Sequence, residues 1–172
     1  MDIFSGNNDK FKKPYTPQIV RFFMLQAHYT SILDISELAL DASEKGYHRL
    51  IEGVNQLSKV TPGKIDGDFD TQLWLKKCYA AMDDDFNSPL LIAQLFEALK
   101  FINMVVHKDH PISTLQWETL NKMISVFLYD VLGIAPEQKS SNNIAEKLNK
   151  TVELLIELRN KARANKDFTT SD

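Results

Sequence analysis

The sequence predicts an all-α protein, an antiparallel bundle of about five to six helices, and three observations support this fold class. Apolar residues recur every three or four positions along nearly the whole chain, and no strand-like alternation competes with that period. Only six Gly and six Pro occur in 172 residues, which allows long uninterrupted helices. The chain is 44% apolar and 25% charged, a composition typical of soluble globular domains with a buried core.

The first two helices have clear start signals. Thr16 is a predicted N-cap with Pro17 at the first helical position, where the missing N–H of proline costs nothing. The helix that follows has a strongly aromatic apolar face. Ser36 caps a second helix with apolar residues at helical spacing. These residues are Leu40, Tyr47, Leu50, Val54 and Leu57.

The third helix is predicted over roughly Asp70 to Met82, and the fourth from Pro89, capped by Ser88, to about Val106. The fourth is apolar on every face but one stripe, so we expect it to be the central helix of the bundle. Its roughly 18 residues span about 27 Å and carry four polar side chains in one line, which favours a buried helix over a membrane span. The stripe is Gln94, Glu97, Lys100 and Asn103.

Two further helices complete the prediction. The fifth runs from about Ser113 to Leu132, and Gly133 is placed for a left-handed C-terminal cap. Its expected buried seam is Trp117, Leu120, Ile124, Phe127 and Val131. The sixth follows an apolar seam from Ile144 towards Ala164.

The net charge and the single cysteine limit the partners and the cellular compartment that we expect. The formal charge of −3 gives no global positive field for non-specific nucleic-acid binding, so RNA contact requires a local patch and DNA is not an expected partner. The single cysteine, Cys78, cannot form an internal disulfide, and a reduced cytoplasmic compartment is expected. No apolar run suits a bilayer and the polar start has no signal-peptide core, so no membrane partner is expected.

No catalytic constellation is apparent, and we expect neither catalytic residues nor a metal site. The run Asp83, Asp84, Asp85 lacks the alternate spacing and terminal Glu of a calcium loop, and the charge also suits a helix N-terminus. His107 and His110 lack the two further ligands that a zinc site needs. Glycine-rich phosphate loops and nucleophile elbows are absent from the sequence.

Three ordered segments carry a family resemblance. Residues 16–36, T-P-Q-I-V-R-F-F-M-L-Q-A-H-Y-T-S-I-L-D-I-S, resemble F-F-x-L-Q-A-H-Y-R-S-x-L-x-F-S of cysteinyl-tRNA synthetases. Residues 82–89, M-D-D-D-F-N-S-P, resemble D-D-D-F-N-T-P of the same family. Residues 158–172, L-R-N-K-A-R-A-N-K-D-F-T-T-S-D, resemble its L-R-x-x-A-R-x-x-K-D-F-x-x-A-D. The chain thus resembles the DALR-type anticodon-stem domain of class I synthetases.

The resemblance implies a fragment. Residues 1–15 would be a linker from a catalytic domain, and residues 16–172 the tRNA-binding bundle, truncated before a C-terminal anticodon-reading extension. ATP and zinc are implied for the full-length enzyme but not for this part, which alone should have no catalytic activity. The family's Arg after H-Y is Thr30 here, and its Phe at position 35 is Ile35.

The function implied is to bind tRNA for cysteine and position it for a catalytic domain of the same longer chain. Recognition would involve mainly the RNA backbone, because duplex RNA exposes its sequence poorly. Arg21 could instead pair with Asp34, and cations at the end of the last helix also stabilise its dipole. The candidate tRNA-binding residues are Lys12, Lys13, Arg21, Arg159, Arg163 and Lys166.

Two alternatives remain open. The bundle could be an inter-domain scaffold with little RNA affinity of its own, which the net charge of −3 supports. As a fragment of a larger protein, the chain should in either case expose an apolar patch around the first helix, where its neighbour would lie. Within the same ancestry, the resemblance also allows the mycothiol-pathway ligase, which does not use tRNA.

Overall fold

The computed structural model describes residues 3–6, 11–108, 110–136 and 142–164. Within these ranges the regular structure is helical and contains no strand, which confirms the all-α prediction. The elements are α1 (Pro17–Leu25), α2 (Glu37–Leu57), α3 (Thr71–Asp83), α4 (Ser88–Lys108), α5 (Thr114–Ser125), a π-helical turn (Val126–Val131) and α6 (Asn142–Ala164).

The chain divides into two compact units. The first, Met1–Pro136, contains α1 to α5, and the second, Glu137–Asp172, contains α6. Phe11 and Tyr15, from the segment predicted as a linker, are almost completely buried in the core of the first unit. The domain boundaries at residues 15 and 16 stay a prediction.

Side chains cap the helices of the first unit, at Thr16 and Ser36 as predicted. The Thr16 hydroxyl accepts a hydrogen bond from the Ile19 N–H, and Ser36 caps α2 in the same way. Asp70 caps α3 by accepting from two backbone N–H groups. Ser113 and Gln116 form a reciprocal capping box at α5. Each cap satisfies backbone donors that a helix leaves unpaired at its N-terminus.

Helix α4 lies at the centre of the first unit. The side chains of Leu91, Leu95 and Ile102 are completely buried. Helix α4 packs against both α2 and α3. By length and composition alone, residues 88–107 could also cross a membrane, with a mean hydropathy of 1.5. Their apolar faces instead supply much of the protein core, as expected for a bundle helix.

The start of α4 differs by one residue from the prediction. Asn87, not Ser88, is the N-cap, because the Leu90 N–H donates to Asn87 Oδ1 at 3.3 Å. Ser88 is the first helical residue, and its hydroxyl donates to the Leu25 carbonyl at 2.9 Å. Both side chains are good caps by type, so only the backbone path decides which one serves.

The end of the fifth predicted helix is also different. The segment Val126–Val131 is π-helical, with more residues per turn than an α-helix. Because a π-helical turn contains more residues than an α-helical turn, residues after it no longer lie on the face predicted from α-helical spacing. Leu120, Ile124 and Phe127 are buried as predicted, but Val131 is 48% exposed and its placement on the seam was wrong.

Gly133 ends this helical run in the left-handed region, with φ of 64°. The Ile134 N–H reaches back to the Leu128 carbonyl at 2.9 Å, which satisfies a carbonyl at the helix end. The predicted left-handed cap is confirmed.

Gly133→Ala should lower the free energy of unfolding by about 1–3 kcal/mol, because a side chain strains this backbone conformation. A Cβ there would also collide with the Arg21 guanidinium. Urea unfolding measures the loss. Gly63→Ala is the control, since its Cβ would meet only the Ile112 carbonyl oxygen, at 3.8 Å, and needs no left-handed backbone. Equal losses in the two variants would contradict the assignment.

Candidate functional site

Two of the three family-like segments meet in space. The Tyr29 hydroxyl donates to Asp85 Oδ2 at 2.5 Å, across 56 residues of chain. The Ser88 hydroxyl donates to the Leu25 carbonyl, which ends α1. We call residues 25–32 together with residues 83–88 the motif joint. The sequence placed both segments in one family pattern but gave no sign that they touch.

The backbone of the motif joint turns sharply between α3 and α4. Asp85 and Phe86 both have φ of 54°, in the left-handed region that residues other than glycine seldom adopt. The Asn87 N–H donates back to the Ala81 carbonyl at 2.9 Å, and the Asn87 amide donates to Asp84 at 3.1 Å. Two such residues in succession cost of order 1–3 kcal/mol each, so surrounding contacts must hold the turn.

The motif joint exposes large apolar side chains. Tyr29 is 69% exposed, Phe86 75% and Ile32 100%. The three consecutive carboxylates 83–85 lie beside them and are all exposed. The hydrogen bond to Asp85 raises the pKa of Tyr29, because the carboxylate stabilises the neutral phenol. This surface is therefore apolar and acidic.

Thr30, which replaces the family's arginine, lies in the same joint. Its hydroxyl is 2.8 Å from His28 Nδ1, and the His28 ring stacks on Tyr29 with centroids 4.7 Å apart. Thr30 thus makes a local hydrogen bond at a position where the family pattern has an arginine, whose longer guanidinium side chain could reach a phosphate or carboxylate.

Lys13 is held by carboxylates of α2. Its ammonium lies 2.8 Å from Asp41 and 2.5 Å from Glu44, and 5.0 Å from the centroid of the Tyr15 ring. These hydrogen bonds raise the pKa of Lys13, and the Lys13 hydrogen bond is the main cause of the lowered pKa of Asp41. Burial, with a hydrogen bond to Asp41, raises the pKa of Tyr15 to about 12. The neighbouring Lys12 is exposed.

Arg21 donates to the Gly133 carbonyl at 2.9 Å. The alternative ion pair with Asp34 is absent from the part of the chain that the structure describes. Both Lys13 and Arg21 therefore have intramolecular partners that lie far away in sequence. Whether any of the candidate residues contacts RNA stays a prediction.

The remaining candidates belong to the second unit. Arg159 and Arg163 are exposed on α6, four residues apart and so about 6 Å along the helix axis. Lys161 and Arg163 lie in its last turn, where cations favour the helix dipole. Lys166 lies outside the described residues.

Reactive and metal-binding side chains do not converge in the described ranges. No group of three or more His, Cys, Asp or Glu is found there. His110 pairs with Asp68 at 3.0 Å, rather than with His107. Cys78 is fully buried, and burial raises the pKa of its thiol to about 12, so the thiol is protonated and unreactive near neutral pH.

Comparison with known proteins places this architecture in a class. Residues 77–137 match the DALR domain family, a span that runs from α3 to the end of the first unit. The part of the chain from the middle of α3 onwards to residue 137 is thus similar to a DALR domain, as the resemblance indicated.

The chain is also related over nearly its whole length to cysteine–tRNA ligases. It is 41% identical to that of Bacteroides thetaiotaomicron and 40% identical to that of Bacteroides fragilis, over 99% of this chain and 35% of each relative. It is 37% identical to that of Chlorobaculum tepidum, over 92% of this chain and 33% of the relative. The chain spans about a third of the length of the curated relatives it matches.

Asp85→Asn should lower the pKa of Tyr29 towards the ordinary value near 10, because the phenol loses its carboxylate acceptor. Carbon-13 NMR titration of the tyrosine ring measures the change. Asp84→Asn is the control, since Asp84 accepts from Asn87 and not from Tyr29. An unchanged Tyr29 titration in Asp85→Asn would show that the two segments do not meet as described.

Proposed function

We propose that this chain is the tRNA-binding helical region of a cysteine–tRNA ligase. It would bind tRNA for cysteine so that a catalytic domain of the same longer protein can attach the amino acid, with ATP as the energy source. The observation that carries the proposal is 41% identity over 99% of the chain to a protein of that name, together with the DALR match.

The surroundings of the candidate cations differ between the first unit and α6. Lys13 would have to leave two carboxylates to bind a phosphate, which costs the energy of both contacts. Arg159 and Arg163 are both exposed on α6, four residues apart, a spacing that suits successive backbone phosphates. We therefore assign the main RNA contact to α6, with Lys12 and Lys166 as further candidates.

Cofactor chemistry would belong to the rest of the longer protein. ATP and zinc would act there, as the family resemblance implies. The described residues of this chain bring no set of metal ligands together.

Arg159→Ala and Arg163→Ala should each weaken tRNA binding, by a similar factor for cognate and unrelated tRNA, because phosphate contacts carry no sequence information. Each should also reduce the slope of log affinity against log salt by about one. A titration of the 172-residue chain between about 50 and 200 mM salt measures both quantities.

Lys76→Ala is the matched control, because Lys76 is an exposed cation on α3 and not among the candidates. It should change neither affinity nor slope. Unchanged affinity in both arginine variants would remove α6 from the proposal, and absence of binding by the unsubstituted chain at low salt would overturn the RNA-binding function.

A second candidate function, an inter-domain scaffold, is favoured by the motif joint. Exposed Tyr29, Ile32 and Phe86 form an apolar surface of the kind that marks protein contacts. The adjacent carboxylates would repel RNA phosphates. We propose that this surface packs against the catalytic domain of the longer protein.

Phe86→Asn should distinguish the scaffold, because asparagine tolerates the left-handed backbone but removes the apolar ring. We expect little change or a gain in unfolding free energy in the 172-residue chain, and a loss of about 1.5–3 kcal/mol in the longer protein, where the ring would be buried. Leu115→Gln, at an exposed leucine on α5, is the control. Equal effects in the short and long proteins would exclude docking through Phe86.

A further inference from the structure

We propose that Gln18, Arg21 and Tyr47 form a clamp that fixes the point at which the chain leaves the first unit. Arg21 is then a positioning residue for the backbone of residues 133–135 and not itself a phosphate ligand. The part that concerns RNA rests on the proposed function above, whereas the clamp itself does not.

Three side chains hold the backbone of two residues. Arg21 Nη1 donates to the Gly133 carbonyl at 2.9 Å, and the Ala135 N–H donates to Gln18 Oε1 at 3.2 Å. The Tyr47 hydroxyl donates to the Ala135 carbonyl at 2.7 Å. The partners are 88 to 117 residues apart in sequence, so these bonds are tertiary contacts and not local turns.

Helices α1 and α2 place the three clamp side chains. Gln18 and Arg21 are three residues apart on α1 and so point to the same side of the helix. Tyr47 is 1% exposed, and its ring packs edge-on against Phe22 with centroids 6.3 Å apart. A buried tyrosine of this kind needs a partner for its hydroxyl, and Ala135 supplies it.

The clamped segment is shaped to receive these bonds. Gly133 allows the left-handed turn and also leaves the space in which the Arg21 guanidinium lies. Ile134, between the two clamped residues, is completely buried in the core. Its N–H is bonded to the Leu128 carbonyl. Side chain and backbone of residues 133–135 are therefore both fixed.

The consequence for RNA binding follows from the order of the chain. Residues 133–135 are followed by Pro136, the last residue of the first unit, and α6 with Arg159 and Arg163 comes after it. Fixing residues 133–135 fixes the point from which the chain continues towards those arginines. Arg21 therefore acts on the chain path within the first unit and adds no phosphate contact of its own.

The clamp is tested first without RNA, by amide hydrogen exchange of the 172-residue chain. Arg21→Ala and Tyr47→Phe should each speed exchange at Ala135 about two- to tenfold, the range expected for one lost hydrogen bond, although neither side chain touches that N–H. Lys76→Ala is the control and should leave exchange unchanged. Core amides of α4 should keep their protection, which shows that the variants fold. Unchanged exchange at Ala135 in both variants would overturn the clamp.

Salt-dependent tRNA titration then separates positioning from direct contact. The clamp predicts that Gln18→Ala, Arg21→Ala and Tyr47→Phe all leave the salt slope of tRNA binding unchanged. A direct phosphate contact predicts a slope reduced by about one, in Arg21→Ala alone, and that result would overturn the positioning role. If the unsubstituted chain binds no tRNA, the proposed function fails, while hydrogen exchange still decides the clamp.

Discussion

Burial of α4 is the constraint on which the rest of the first unit depends. This helix is apolar on most of its surface, so α2 and α3 must cover it, and both do. Gly53 of α2 allows the closest approach, because a Cβ there would come within 2.8 Å of the Leu99 side chain. Glycine inside a helix costs about 1 kcal/mol relative to alanine. Close packing against α4, where dispersion and apolar burial act together, offsets that cost.

The N-terminus of α4 then determines where the motif joint lies. Its N-terminus follows the two left-handed residues of the motif joint, where Tyr29 and Ser88 connect the joint to the end of α1. Strain in that turn persists only because hydrogen bonds from distant segments hold it. The same contacts leave Phe86 outside the core, which is why an apolar and acidic surface forms at this place. Protein docking suits such a surface better than RNA binding.

Two of the candidate cations, Lys13 and Arg21, make contacts within the first unit. Lys13 joins the segment before α1 to α2 through two carboxylates, and Arg21 joins α1 to Gly133. The exposed ion pairs of Lys13 contribute little stability individually, but they and the Arg21 hydrogen bond orient chain segments that hydrophobic burial alone does not orient. The proposed RNA contact lies on α6, where Arg159 and Arg163 are exposed. It explains how a chain with a net charge of −3 could bind RNA through one local patch.

The sequence by itself determined the helical class, the caps at Thr16 and Ser36, and the glycine stop at Gly133, because these depend on neighbours within about one helical turn. It also carried the family resemblance. The one-residue shift to Asn87 and the π-helical turn that exposes Val131 depended on tertiary packing. So did the partners of Lys13, Tyr29 and Arg21, which lie 28 to 112 residues away. Only the folded chain could decide these, because periodicity reports which face of a helix is buried but not which distant residue it will meet.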